Sequence, residues 1–310
     1  MKANQNRSFT TPPSADTCPR NQQNKKFPLP QKASLPCRMY NELTVTCVRE
    51  TELHAPNAPN TVAHHLFYDR SGATSVRFES EKITAQNKYP AGSKTVFGDR
   101  SKYPDTYVRH DRDLGQTFRA ANAEPQKLDA VYLRMGPNGA DISACGARIA
   151  IQLFEVSGNP LCNDNNTPGF LGRFDRLQAP ELDDFLTGEV YHPLAVAVGH
   201  LPQHLEPLGI LKLTLSGHSS ISLQPGQDYA FLVLLPDRKP GLQLTLANCY
   251  YGNYCPAPEN QFVGHGIRRE GTPKLPDHLE ERLLLAPGTL GFPDVCTWRD
   301  YFFLVTGKPL

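Results

Sequence analysis

Apolar and polar positions alternate along much of the chain. In "GARIAIQLFEV", residues 146–156, Ala147, Ile149, Ile151 and Leu153 share one face against Arg148 and Gln152. In "GILKLTL", residues 209–215, Leu211, Leu213 and Leu215 oppose Lys212 and Thr214. "KLDAVYLRM", residues 127–135, sets Val131, Leu133 and Met135 together. Successive side chains of a strand point to opposite faces, so a period of 2 predicts half-buried strands. "YAFLVLL" at 229–235 is apolar throughout. That run fits a strand buried on both faces and falls far short of the roughly 20 residues of a membrane span.

Further strands are expected at "NELTVTCV" (41–48), "LGQTFRA" (114–120), "LQLTLAN" (242–248) and "WRDYFFLVTG" (298–307). "TVAHHLFYDR" and "ATSVRFES" flank a Ser71-Gly72 turn and read as a hairpin. Pro225-Gly226 is the i+1, i+2 pair of a type II turn. Helix signals are confined to "PELDDFL" (180–186) and "PDHLEERLLL" (276–285), the latter with Asp277 placed to cap its start. Neither is long enough to cover a sheet face. Short strands between turns, with few helices, predict a mostly β protein built as a β-sandwich. Residues 1–41 read as an extended polar N-terminal arm, 42–110 as strands and loops adding to the sandwich, and 111–310 as the sandwich itself.

Composition adds limits. The 28 prolines and 23 glycines follow no period, as many turns require. Net charge is +1 with no basic run, so no nucleic-acid partner is expected. The first 37 residues contain no apolar h-region, so an intact secretory signal is not expected. Eight cysteines favour an oxidising compartment, hence an extracellular or cell-surface location, with a cytoplasmic one still open. There is no CxxC and no Cys/His cluster with zinc spacing.

From about residue 114 onward the order of features resembles bacterial carbohydrate-binding-module-like jelly rolls of extracellular proteins. The matching stretches are "DLGQTFRA" (113–120), "KLDAVYLRMG" (127–136), "ARIAIQLFEV" (147–156), "SLQPGQDYAFLVLL" (222–235), "GHGIRREG" (264–271) and "WRDYFFLV" (298–305). The resemblance covers about two-thirds of the chain and implies a jelly-roll-like antiparallel sandwich with long loops. It also implies non-catalytic glycan binding, and it raises the expectation of a structural Ca²⁺. A shared fold does not by itself name a ligand.

Candidate chemistry concentrates in "ANCYYGNYCPAPEN", residues 247–260. Sugars are held by flat aromatic faces with nearby amides or guanidinium groups. Tyr250, Tyr251, Asn253 and Tyr254 supply the first two, on a loop that follows a strand. The bland alternative is that these tyrosines cap the edge of the sheet. Cys249 and Cys255 can staple the loop if it folds back to the ~5.5 Å Cα separation a disulfide requires. Arg268 offers a bidentate clamp for an acidic sugar, and Trp298, the sole tryptophan, a further stacking face. Ordinary surface ion pairing for the arginine and a core position for the tryptophan are the competing readings. Asp99, Asp105, Asp111 and Asp113 are four carboxylates within a fifteen-residue stretch, a possible oxygen-ligand set for Ca²⁺. Their spacing is not that of an EF-hand, and neighbouring arginines compete for them.

No nucleophile elbow, HExxH, P-loop or dinucleotide fingerprint is present. His64 and His65 are adjacent on a strand and therefore point to opposite faces. The leading expectation is a non-catalytic carbohydrate-binding or cell-surface protein with a polysaccharide or glycan partner. One alternative is a structural or assembly subunit of a filament, surface layer or capsid, self-associating through residues 1–41. Another is a polysaccharide lyase or glycosidase on the same fold.

Overall fold

The structure, a computed structural model, describes residues 40–53, 58–68, 73–78, 84–86, 94–95, 98–99, 106–108, 111–137, 143–158, 189–217, 221–250, 264, 266–270, 275–287 and 299–310. In chain order its strands are β1 (Tyr40–Val48), β2 (Thr61–His65), β3 (Ala73–Arg77), β4 (Thr84–Gln86), β5 (Lys94–Thr95), β6 (Gly98–Asp99), β7 (Thr106–Val108), β8 (Arg112–Arg119) and β9 (Gln126–Arg134). There follow β10 (Arg148–Gly158), β11 (Glu189–His200), β12 (Ile210–Ser216), β13 (Ser222–Leu223), β14 (Asp228–Leu234), β15 (Gln243–Tyr250), β16 (Gly266–Glu270), β17 (Arg299–Tyr301) and β18 (Phe303–Pro309). Among the described residues the only α-helix is α1 (Leu279–Leu283), so the protein is mostly β.

Fourteen strands form one sheet in the order β17-β15-β3-β8-β14-β10-β11-β1-β12-β9-β18-β2, with β13 on β9 and β16 on β8. Two small two-stranded sheets, β4–β7 and β5–β6, are separate from it. The sheet nearly closes on itself. Met135, just past β9, bridges Leu246 of β15, and Gly136 N donates to Thr245 O at 2.7 Å. The last stretch of chain spans the same seam. β17 pairs with β15, β18 pairs with β9, and Phe302 N between them donates to Ala247 O at 3.1 Å. The expected single strand at 298–307 is thus two, because the chain changes neighbours at Phe302. Closing a sheet removes the exposed edges that otherwise invite aggregation.

The period-2 positions explain the closure. Ile149, Ile151 and Leu153, Leu211 and Leu213, Val131, Leu133 and Met135 all enter one buried cluster. Phe118, Phe231 and Phe303 meet at its centre with ring centroids 5.7–6.4 Å apart. Each of these side chains brings a large apolar area to the core, so a curled sheet with one filled interior is the way to bury every inner face at once. The fully apolar β14 needs cover outside as well. Its outward Leu232 packs with Ile267 of β16, and Leu234 packs with Leu283 of α1.

Several local expectations meet particular outcomes. Gln227 N donates to Gln224 O at 3.2 Å and Gly226 has φ +74°, the geometry of the Pro225-Gly226 type II turn. The expected β2–β3 hairpin does not form. β2 pairs with β18 and β3 with β15, so long-range pairing around the core overrides the local turn signal. Asp277 does not cap α1. The N-cap is His278, without a side-chain hydrogen bond, while Asp277 lies 3.3 Å from Arg238.

β1 starts at Tyr40 and carries the one parallel contact among the described residues, pairing with β11 over Tyr40–Glu42 and antiparallel with β12 over Glu42–Val48. It approaches β11 closely at Gly199, where a Cβ would stand 2.0 Å from Leu43 O. The first three strands therefore belong to the main sheet.

Candidate functional site

β15 carries the chain to the candidate aromatic loop. Its last register pairs are Asn248↔Tyr301, Cys249↔Asp300 and Tyr250↔Arg299. Asn248 is buried and its Nδ2 donates to Thr74 Oγ1 at 2.8 Å. Tyr251, Asn253, Tyr254, Cys255 and Trp298 lie outside the described residues, and with them the Cys249–Cys255 staple. What the structure defines is the base from which the loop departs.

That base is held on both sides. Inside the sheet, Gln116 Nε2 donates to Asp300 Oδ1 at 2.6 Å, and Tyr301 N donates to Gln116 Oε1 at 3.0 Å. His65 Nδ1 donates to Tyr301 O at 3.0 Å. Burial pushes the His65 imidazole down to about 4, against the opposing pull of that carbonyl, and neighbouring His64 adds to the drop. A neutral, donor-bearing ring therefore fixes the point where β17 gives way to β18. On the other side, the Arg134 guanidinium packs against the rings of both Tyr68 and Phe302, 4.6 and 4.5 Å from their centroids, and the two rings meet each other edge to face. Its Nη2 reaches Glu50 Oε1 at 2.8 Å. Stacked, ion-paired arginines of this kind add rigidity where a sheet changes partners.

The charged candidates are elsewhere, and they are buried. Arg268 is 2% exposed on β16, opposite Leu114 of β8. Its neighbour Arg269 sends Nε to Asp113 Oδ2 at 2.9 Å and Nη1 to Gln152 Oε1 at 3.0 Å. Arg282 of α1 places Nη2 3.2 Å from Asp113 Oδ1 and donates to Leu235 O at 2.6 Å. Gln152 Nε2 donates to Leu283 O at 2.9 Å. Burial lowers the Arg269 pKa, Asp113 opposes that drop, and the second guanidinium reinforces it. Asp111 accepts from Arg238 Nε at 3.0 Å. The two described aspartate side chains of the expected Ca²⁺ set are thus engaged with arginines. Asp99 appears as backbone in β6, paired with Lys94, and Asp105 lies outside the described residues. Among the described residues no group of three or more His, Cys, Asp or Glu has metal-holding geometry.

Comparison with protein-family models, with curated proteins and with solved structures found no match. The chemistry must be read from the site itself. Among the described residues a hydroxyl–imidazole pair is formed by Ser157 Oγ and His192 Nε2 at 2.9 Å, exposed on β10 and β11. Among the described residues no carboxylate hydrogen-bonds its other ring nitrogen. A nucleophile needs its base oriented by a third group, so this pair lacks the arrangement of an acyl-transfer site.

Gln116, Gln152, Asp300 and Arg282 were not singled out from the sequence. Most of their partners lie more than a hundred residues away, as in Gln116–Asp300 and Gln152–Leu283. The one local signal is at Gln152, a glutamine set between Ala150 and Phe154 on the strand face that also carries Arg148.

Proposed function

We propose that this chain is a non-catalytic carbohydrate-binding protein of jelly-roll-like architecture, displaying an aromatic loop at the seam of its nearly closed sheet. The observation that carries the reading is the Tyr250↔Arg299 pair. Tyr251 and Trp298 are the immediate chain neighbours of that pair, so two aromatic positions flank one anchored point. A loop leaving a rigid base loses less entropy when it closes on a ligand. Ligand sites in barrels also favour the places where connections gather at a mouth. Burial of Arg268 and Arg269 removes the guanidinium clamp that an acidic polysaccharide would need, so a neutral glycan fits better. The same reading assigns the protein to the cell exterior or surface.

A glycan array identifies the ligand class, and Tyr250→Ala and Tyr254→Ala test the loop. Loss of one stacking face is expected to weaken binding roughly fivefold, at about 1 kcal/mol per face. Full binding by both variants would remove the platform.

A second reading is an assembly subunit using the N-terminal arm. It is favoured by β1, which enters the sheet at Tyr40 between β11 and β12, so that a pull on the arm acts on the body. Size-exclusion chromatography with and without residues 1–39 separates the two: a size change on truncation supports assembly.

A further inference from the structure

Arg134 is a buried guanidinium with hydrogen-bonding capacity to spare. Its side chain is 5% exposed. The Tyr68 and Phe302 rings hold it at 4.6 and 4.5 Å and meet each other edge to face at 5.8 Å. Nη1 donates to Leu208 O at 3.1 Å. Leu208 holds φ at +61°, the one positive value outside glycine among the described residues. A leucine rarely takes that conformation, and strain of this kind clusters at ligand clamps.

The other edge of the guanidinium, Nε and Nη2, is a fork that can grip both oxygens of a carboxylate. Among the described residues the acid that reaches it is Glu50, whose Oε1 stands 2.8 Å from Nη2. The approach is close but out of line. Neither Nη2 nor Nε makes a hydrogen bond, and both atoms are closed to solvent. Buried donors without acceptors are costly, so this edge favours any group that aligns with it better than Glu50 does. Glu50 is also free to leave. Its side chain is 70% exposed, and it belongs to the 3₁₀ turn Glu50–Glu52, which follows β1 and buries no residue. Local bonds close that turn, Arg49 N to Glu52 Oε1 and Leu53 N to Glu50 O, each at 3.1 Å. The carboxylate can therefore swing away while the turn stays formed. Arg269 differs, because its carboxylate partner Asp113 is itself buried.

We propose that the Nε–Nη2 edge of Arg134 is a binding site for a small carboxylic acid, which displaces the Glu50 side chain and takes both donors at once. Glu50 is a built-in competitor. It keeps a negative charge beside the cation in the free protein and yields to a ligand that bonds in line. The ligand gains two charge-assisted hydrogen bonds that Glu50 does not make to these atoms. The guanidinium is already fixed by two rings and the Leu208 carbonyl, so little ordering remains to be done on binding. The site does not use the loop beyond Tyr250, and it stands or falls independently of glycan binding.

The test uses the full chain and its Glu50→Ala variant, with acetate as the probe and chloride at equal ionic strength as the control. Glu50→Ala should melt lower than wild type in chloride and recover along a saturating curve as acetate is added. Half-saturation of wild type should need roughly tenfold more acetate or higher, because Glu50 competes at a high effective concentration. Phenylglyoxal, which modifies accessible arginines, then locates the site. Modified Arg134 resists trypsin, so residues 128–134 and 135–148 stay joined as one peptide, 128–148. In Glu50→Ala that peptide should form in chloride and fade as acetate saturates. Adding Arg134→Lys keeps the charge without the fork and should abolish the acetate response. The protection result holds whether or not that double variant folds. An acetate effect on Glu50→Ala equal to that of chloride would overturn the proposal. So would equal half-saturation in the two proteins, an unreactive Arg134 in Glu50→Ala, or a saturating response that leaves Arg134 unprotected.

Discussion

Asp113→Asn probes the buried charge network with the smallest change of shape. The aspartate is 1% exposed and serves two guanidiniums, Arg269 at 1% and Arg282 at 0%. Asparagine keeps the volume and one acceptor oxygen. It removes the negative charge and turns an amino group toward one of the cations. Two buried positive charges then have no counter-charge in the network and no water to replace it. Breaking a buried ion pair from one side costs about 3–5 kcal/mol, because the remaining charge stays desolvated. Asp111→Asn is the internal control. Its partner Arg238 is 15% exposed and also lies 3.3 Å from Asp277, so solvent and a second carboxylate take over. That change should cost clearly less than Asp113→Asn, because the cation left behind keeps a carboxylate and partial contact with solvent. Urea unfolding at pH 7 reads both from the midpoint at constant slope. The gap should persist in 1 M NaCl, since salt screens buried pairs weakly. Equal costs for the two variants would refute the reasoning.

Protonation of His65 supplies a second test. Its folded pKa of about 4 lies below the ordinary 6.5, so the unfolded chain takes up the proton first. Stability is fully present above pH 6.5 and is lost on acidification toward 4, by about 3 kcal/mol in total. His65→Asn keeps a donor for Tyr301 O and removes the titration, so its urea midpoint should fall less between pH 7.5 and 4.5; equal slopes would dismiss the assignment. Gly115→Ala puts a Cβ 1.8 Å from Phe231 O in the β8–β14 ladder, whereas Gly226→Ala meets nothing within 4 Å and carries only its φ of +74°. The first should cost at least about 3 kcal/mol or abolish folding and the second about 1 kcal/mol, as thermal melts followed by circular dichroism would show.

The strand faces were legible because burial on one side leaves a period-2 trace. Ile149, Ile151, Leu153, Leu211 and Leu213 reach the core as their alternation requires. Partner choice was not legible. β2 and β3 are separated by a plausible turn, yet one joins β18 and the other β15. Pairing is decided by which inner faces complete the core, and that sum runs over strands hundreds of residues apart. The loop motif fared differently again. Its strand, its exit point and the buried Asn248 are defined, while the tyrosines beyond Tyr250 fall outside the described residues.

Charge on a strand is the signal most easily misjudged. In "GHGIRREG" two adjacent arginines suggest solvent, since at least one must face away from the sheet. The structure buries both, because β16 lies against β8 and α1 lies over the outer face beside it. Gln152 is misjudged for the same reason: its face of β10 is outward, yet α1 roofs it. A second layer converts an apparent surface into an interior, and polar groups trapped there must pair with one another. The consequence for function is spatial. Guanidiniums and carboxylates committed to each other beneath α1 have little left to offer a ligand. The seam between β15 and β9 is different, because there the ladder passes through a single bridge and the closing strand changes neighbours at Phe302. A ligand held by the chain beyond Tyr250 would bear on β15 and its partner β17, and through Asp300 and Tyr301 on Gln116 and His65. In the proposed reading, binding beyond Tyr250 would have a mechanical route into the core.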